Sequence, residues 1–330
     1  MNALTKPTAP LTLTRDRGPR EACFAGWGVG GVPGGARRGG SPQPRPSFLG
    51  SIGGEILKLR RQGTIWAMLG LAMFLFAVVA GALTTADNLR QTLEKTPSTF
   101  VFNMYDVYLA MFDVGSGIFL LIVSARLVGM EYSSGTIRVL LARGAGRVRL
   151  LMAKLTALAL LGLVLWVGFI VLAGGALYVT VVHWEGSFER INSLPGTVWH
   201  DLGINLLVGL ASMAAAILIG TAAAVVGRSL AFGIGAALFL YPADNLLTTM
   251  MPLFKALTGT DFWLHVSAYL LGPNLDVLPV VMQTDHHARA AFAVPLTKVD
   301  VTHAWLVVGA WALVLTAVAV GLSWRRDVLQ

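Results

Sequence analysis

Six apolar runs constrain this chain more than any other feature of its sequence, because each is long enough to cross about 30 Å of hydrocarbon at about 1.5 Å of helix rise per residue. They run roughly Thr64–Leu83, Val107–Val128, Leu155–Val182, Leu202–Gly227, Leu230–Leu247 and His303–Ser323. Only 13% of the residues are charged and 55% are hydrophobic, about half the charged share of a soluble domain. The sequence therefore predicts an all-α, polytopic membrane protein of six spans. Tryptophans mark several span ends, where an amphipathic ring prefers the headgroup level: Trp184 and Trp199 bracket one short loop, and Trp305 and Trp324 bracket the last span.

Basic residues resist translocation, so their distribution predicts orientation. With the amino terminus inside, Lys58, Arg60, Arg61, Arg126, Arg138, Arg143, Arg147, Arg149, Lys154, Arg228, Arg325 and Arg326 face the cytoplasm. Half as many, Arg90, Lys95, Arg190, Lys255, Arg289 and Lys298, face outward with acids such as Asp87, Glu94, Glu185 and Asp300. This places the protein in the cell membrane with both termini cytoplasmic. Ser51–Arg61 sets Ile52, Ile56 and Leu59 at helical spacing beside Lys58, Arg60 and Arg61, which predicts a short amphipathic helix before the first span.

Residues 1–50 differ from the rest. Seven basic groups against Asp16 and Glu21 give them +5 of the formal +8, in a text that is mostly Gly, Pro, Ser and Arg. That composition predicts a disordered cytoplasmic tail, or a segment upstream of the true start, and not a nucleic-acid-binding face. Residues 51–330 then form the membrane domain. The tail has no apolar run of signal-peptide length, and a lone Cys23 excludes an internal disulfide or a thiolate cluster.

The connection between spans two and three carries the most unusual text. Ser134 stands ready to cap a short helix, Ile137, Leu140 and Leu141 give it an apolar face, and Gly144 and Gly146 end it. Such a helix either rests on lipid or fits a groove on a cytoplasmic partner. Glu131, Gly135-Thr136, Arg138, Leu140-Leu141, Arg143, Arg147 and Lys154 together resemble the first cytoplasmic loop of type-2 ATP-binding-cassette export permeases. Glu55-Ile-Leu-Lys58-Leu-Arg60-Arg61 and Ala268-Tyr-Leu-Leu-Gly272-Pro273-Asn274 extend the resemblance, which covers Ser51 to Arg326. Gly144-Ala145-Gly146 departs from the proline found in many members. The resemblance implies a permease subunit that exports a substrate. It implies a separate cytoplasmic subunit that binds ATP and magnesium, a second permease copy, and no cofactor in this chain. It assigns Glu131, Gly135, Thr136, Arg138, Leu140 and Leu141 to the surface that couples to the ATPase. Agreeing with this, no Gly-x-x-x-x-Gly-Lys-Ser/Thr phosphate loop occurs.

Ionisable groups at membrane depth cost several kcal/mol and tend to face protein or water. Asp113, beside Gly115, Ser116 and Gly117, and Asp244, after Tyr241-Pro242, are candidates to line a substrate path or to sit in the outer headgroup zone. Ser212, Ala216, Gly220 and Ala224 form a small-residue stripe for helix packing, with a homodimer contact as the alternative. Phe262–Met282 reads as an embedded or re-entrant stretch interrupted at Gly272-Pro273, or as an ordinary external loop. His286 and His287 beside Asp285 lack further ligands at zinc-like spacing, so no metal site is predicted. Val114-Gly115-Ser116-Gly117 lacks the glycine two before serine that an intramembrane serine protease needs, so no catalytic residue is predicted either. A scaffold or release subunit driven by an ATPase fits the same motifs. A secondary transporter would require repeated halves and a buried carboxylate network that the sequence does not display.

Overall fold

In the computed structural model, residues 47–134, 146–283 and 293–325 are described. Gly135, Thr136, Arg138, Leu140 and Leu141, the expected coupling helix they belong to, and the pair His286 and His287 lie outside the described residues, as does most of the expected tail. The elements are α1 (Phe48–Arg60), α2 (Gly63–Thr84), α3 (Asp87–Lys95), α4 (Pro97–Ser133), α5 (Arg147–Glu185) and α6 (Glu189–Asn192). They continue with α7 (Gly196–Gly227), α8 (Leu230–Thr258), α9 (Phe262–Val266), a 3-10 turn (Ser267–Tyr269), α10 (Leu271–Met282) and α11 (Val301–Arg325).

Among the described residues, six helices are long and apolar enough to cross a membrane: α2, α4, α5, α7, α8 and α11. They are the six runs of the sequence, but several extend well beyond them. With 37 and 39 residues, α4 and α5 are each longer than 50 Å at about 1.5 Å per residue, against the ~30 Å of a hydrocarbon core. Part of the surplus is packed against other helices. Phe100, Val101, Met104, Tyr105 and Tyr108 at the start of α4 are buried with Leu89 and Leu93 of α3, Phe169 and Leu177 of α5 and Ile191 of α6. Phe112 stacks on Phe169 with centroids 4.1 Å apart.

The up-and-down path collects α1, the end of α4, the start of α5 and the α7–α8 turn at one end of the bundle, here called the basic end. Ser133 Oγ accepts the amide of Leu230 at 3.2 Å there, and Arg147 donates to the carbonyl of Trp324 at 3.4 Å. The α7–α8 turn is only Arg228-Ser229. Arg228 takes a left-handed φ of 51°, and Ser229 caps α8 by accepting from the amide of Phe232.

Three helices, α4, α7 and α8, make the closest-packed centre. Small residues allow this: a Cβ on Gly220 of α7 would sit 2.6 Å from the carbonyl oxygen of Leu121 in α4, and one on Gly233 of α8 would sit 2.9 Å from Cα of Ala224. Ala216, Gly220 and Ala224 are buried within this single chain. The stripe expected from the sequence is thus used for internal packing, and the alternative of a homodimer contact through it is set aside.

Two local expectations change. Helix α1 starts at Phe48, three residues before the expected Ser51, because Ser47 Oγ accepts the amide of Gly50 at 3.0 Å and caps it. The stretch Phe262–Met282 is a pair of helical segments bent by 77°, but the break falls at Leu270, whose ψ of 147° is extended. Gly272 and Pro273 lie inside the first turn of α10, where proline costs no hydrogen bond that a helix would otherwise make.

Candidate functional site

Four ionisable side chains converge at the basic end. Glu55 stands in the middle of α1, Glu131 in the last turn of α4, and Lys154 two turns into α5. Lys154 Nζ lies 2.7 Å from Glu131 Oε1, 2.9 Å from Glu55 Oε2 and 3.2 Å from the carbonyl oxygen of Leu127. An ammonium has three protons, and here each has an acceptor. Lys58, one turn after Glu55, closes the cluster by reaching Glu55 Oε1 at 2.7 Å and Glu131 Oε1 at 2.8 Å. Positive and negative charges alternate around it, and each carboxylate meets both ammonium groups.

The side chains of Glu55 and Lys154 are only 3% and 4% exposed, and that of Lys58 is 46% exposed. Burial opposes the charge on Lys58, but hydrogen bonds and attraction from Glu131 and Glu55 outweigh it and hold its pKa above the usual lysine value. Ile52 and Leu59, one turn either side of Glu55, bury the same face of α1. The other face leaves Leu49, Ile56 and Leu57 exposed. Nearby, Trp66 Nε1 donates to the carbonyl of Arg60 at 2.8 Å, and Arg126 donates to Thr64 Oγ1 at 3.1 Å, tying α2 to α1 and α4.

Sequence reasoning placed Glu131 on a contact surface. Its residue is 7% exposed and its carboxylate faces two lysines of its own chain. Glu55, Lys58 and Lys154 were legible as parts of a motif; their meeting was not, because 73 residues separate Lys58 from Glu131 and 99 separate Glu55 from Lys154.

A second feature lies midway along the bundle. Asp113 of α4 and Asp244 of α8, which the sequence offered as path-lining residues, both line one cavity of about 430 Å³. Ser212 of α7, Tyr241 of α8 and Asp276 of α10 line it as well, amid mostly apolar side chains. That volume suits a small organic molecule. Helix α8 runs to Thr258, far past the expected Leu247, which leaves Asp244 fourteen residues from each end of its helix.

Asp244 also has a local task. Its Oδ2 accepts the amide of Gly272 at 2.5 Å and its Oδ1 accepts that of Asn245 at 3.0 Å. Gly272 is in the first turn of α10, so Asp244 satisfies one of the amides that a helix start leaves without a partner. Asp276, one turn further along α10, accepts the amide of Ala293 at 3.2 Å. Tyr241 shares a hydrogen bond with Ser212, and its ring lies against Gly117 of α4, where a Cβ would approach its Cζ to 2.8 Å. Sequence reasoning missed Tyr241, Ser212 and Asp276 as companions of Asp113. The available signal was a third acidic residue placed one turn after the Gly-Pro step.

A bundle of six helices long and apolar enough to cross a membrane, with a buried ion cluster at one end and a cavity among them, is the architecture of a polytopic membrane protein. A family model described as ABC-2 family transporter protein matches residues 51–243, more than half of the chain. The chain belongs to this ABC transporter family, whose permeases are membrane subunits and generally not catalytic themselves. The matched range contains the whole ion cluster and Asp113, and it stops one residue before Asp244. A search of the curated proteins gave no match.

Proposed function

We propose that this chain is the permease subunit of an ATP-driven exporter, lying in the cell membrane with the basic end and both termini cytoplasmic. A separate ABC ATPase subunit docks on the connection between α4 and α5, where Gly135, Thr136, Arg138, Leu140 and Leu141 supply the contact surface. ATP and magnesium are bound by that partner. A second permease copy completes the membrane part, and the cavity holding Asp113 and Asp244 belongs to the route of the cargo.

The observation that carries this reading is the placement of the end of α4 and the start of α5, which flank the connection. Two long helices end beside each other at the basic end, and buried ion pairs fix both flanks of the segment between them, so a push on that segment meets a firm base. The excess of Lys and Arg at this end supports its cytoplasmic position.

Purification from native membranes in mild detergent tests the reading. The wild-type chain is expected to bring down vanadate-sensitive ATP hydrolysis, and Arg138→Glu combined with Leu140→Asp to remove it while helical content stays constant. A wild-type preparation without hydrolysis, or a double variant that retains it, overturns the proposal. A reporter fused after Gln330 that proves extracellular overturns the orientation.

A further inference from the structure

The role of the ion cluster goes beyond holding a helix in place. We propose that Lys154, clasped by Glu55 and Glu131, is a positioning residue that makes α1 and the adjoining ends of α4 and α5 one unit, so that α1 moves with the coupling connection. This rests on the exporter reading, which it deepens by bringing the segment before the first span into the transmission of force.

Three observations support it. The cluster is the only set of charged side-chain bonds among the described residues that joins α1 to the rest of the bundle, and it reaches both flanks of the connection. Its geometry is saturated: Lys154 has one acceptor for each proton, and each glutamate bridges two lysines, so a shift of α1 relative to α4 or α5 breaks at least two ion pairs together. Its setting is apolar, with Ile52, Leu59, Leu127 and Leu151 buried around it. Apolar side chains in such a place commonly give equal or better stability than buried ions, whereas ion pairs impose one register. Only Arg61 and Gln62 separate α1 from α2. A movement entering through the connection therefore reaches α2, α4 and α5 together.

Spin labels test the proposal in the full chain, with Cys23→Ser removing the native thiol. Labels replace Leu57 of α1 and Val148 of α5, both exposed; a second pair joins Leu57 to Leu313 of α11. Without nucleotide, the α1–α5 pair is expected to give one narrow distance distribution in the wild type. Glu55→Gln, which keeps the shape of the side chain and removes its charge, loses that single peak, as does Lys154→Met. Reversing all four charges, Glu55→Lys, Lys58→Glu, Glu131→Lys and Lys154→Glu, restores every pair of opposite charges and regains the peak. Should Lys154→Met fail to fold, Glu55→Gln alone decides.

With the ATPase bound, trapping by ATP and vanadate is expected to shift the α1–α11 distance while leaving α1–α5 unchanged, and Glu55→Gln abolishes the shift. A narrow α1–α5 distribution in the Glu55→Gln variant, or an α1–α5 distance that changes on trapping, overturns the proposal. A wild-type chain that binds no ATPase yet loses the narrow peak in Glu55→Gln overturns the exporter reading and leaves the lock standing.

Discussion

The carboxylate of Asp244, at the centre of α8, accepts the backbone amide of Gly272 at 2.5 Å, so a spanning helix carries the first turn of the bent segment that follows it. A residue that reads from sequence as a substrate ligand is thereby also a helix cap. The two roles are compatible, since a carboxylate has about four acceptor positions and the cavity touches the same side chain.

Gly272→Ala is expected to loosen α10. The new Cβ would lie 2.9 Å from Asp244 Oδ1 and closer still to the amide group of Asn245, forcing the two helices apart. Overpacking of this kind costs about 1–3 kcal/mol. Asp244→Ala, which leaves the amide of Gly272 without its charged acceptor, costs about 1–3 kcal/mol by a different route. Hydrogen exchange over residues 271–282 checks both: it accelerates in each variant while α5 stays protected. Unchanged exchange in Asp244→Ala would show that the clasp contributes nothing.

Lys154→Ala leaves two buried carboxylates with only the half-exposed Lys58 to share. Removing one partner of a buried pair typically costs about 3–5 kcal/mol, because the remaining charge keeps its desolvation penalty. Glu131→Ala and Lys154→Ala share partners, so the double variant is expected to lose less than the sum of the singles. Thermal unfolding in detergent measures the cycle; strict additivity would contradict the observed geometry.

Alkaline pH provides a separate handle on the same cluster. Lys58 has a folded-state pKa above its ordinary value of 10.5, so its contribution is fully present below pH 10.5 and is lost as pH rises through the folded value. Nitroxide mobility at Leu57, next to Lys58, should therefore rise above pH 10.5 in the wild type, and Lys58→Met should raise it already at neutral pH. A flat wild-type profile in this window would argue against the pairing of Lys58.

How much of this was readable beforehand follows from what each feature depends on. The spans were legible because crossing hydrocarbon demands a run of apolar residues, which is a local property. Their ends were not, because α8 continues from Leu247 to Thr258 and α4 begins at Pro97 on residues whose helicity depends on neighbours. Helix α3 went unnoticed: nine residues form no stable helix alone, and only the burial of Leu89 and Leu93 against α4 makes it worthwhile. Glu131, Glu55, Lys58 and Lys154 were visible through family resemblance, yet no spacing rule links α1 to α5 across 99 residues. Asp244 was visible as an isolated charge in an apolar text, and its partner 28 residues later was not.

The stripe on α7 provides the last prediction, since it separates packing within one chain from assembly between chains. Gly220 faces the backbone of α4, where a Cβ would come within 2.6 Å of Leu121 O and 3.3 Å of Ala125 N. Backbone cannot swing aside as a side chain can, so Gly220→Val must separate α4 from α7 and disturb the centre that also positions Asp113, whose Oδ1 lies 3.1 Å from where a Cβ on Gly209 would stand. A loss of about 1–3 kcal/mol or more is expected, with poor accumulation in the membrane. Gly235 of α8, by contrast, has open space at its Cβ, and Gly235→Val should cost no more than the change in local helix propensity, under about 1 kcal/mol. If the stripe instead served a contact between two copies, Gly220→Val would leave the unfolding temperature of the monomer in detergent unchanged and alter only the oligomer seen by light scattering. Equal stability of the Gly220→Val and Gly235→Val monomers would therefore remove α4–α7 packing as the reason for the glycine.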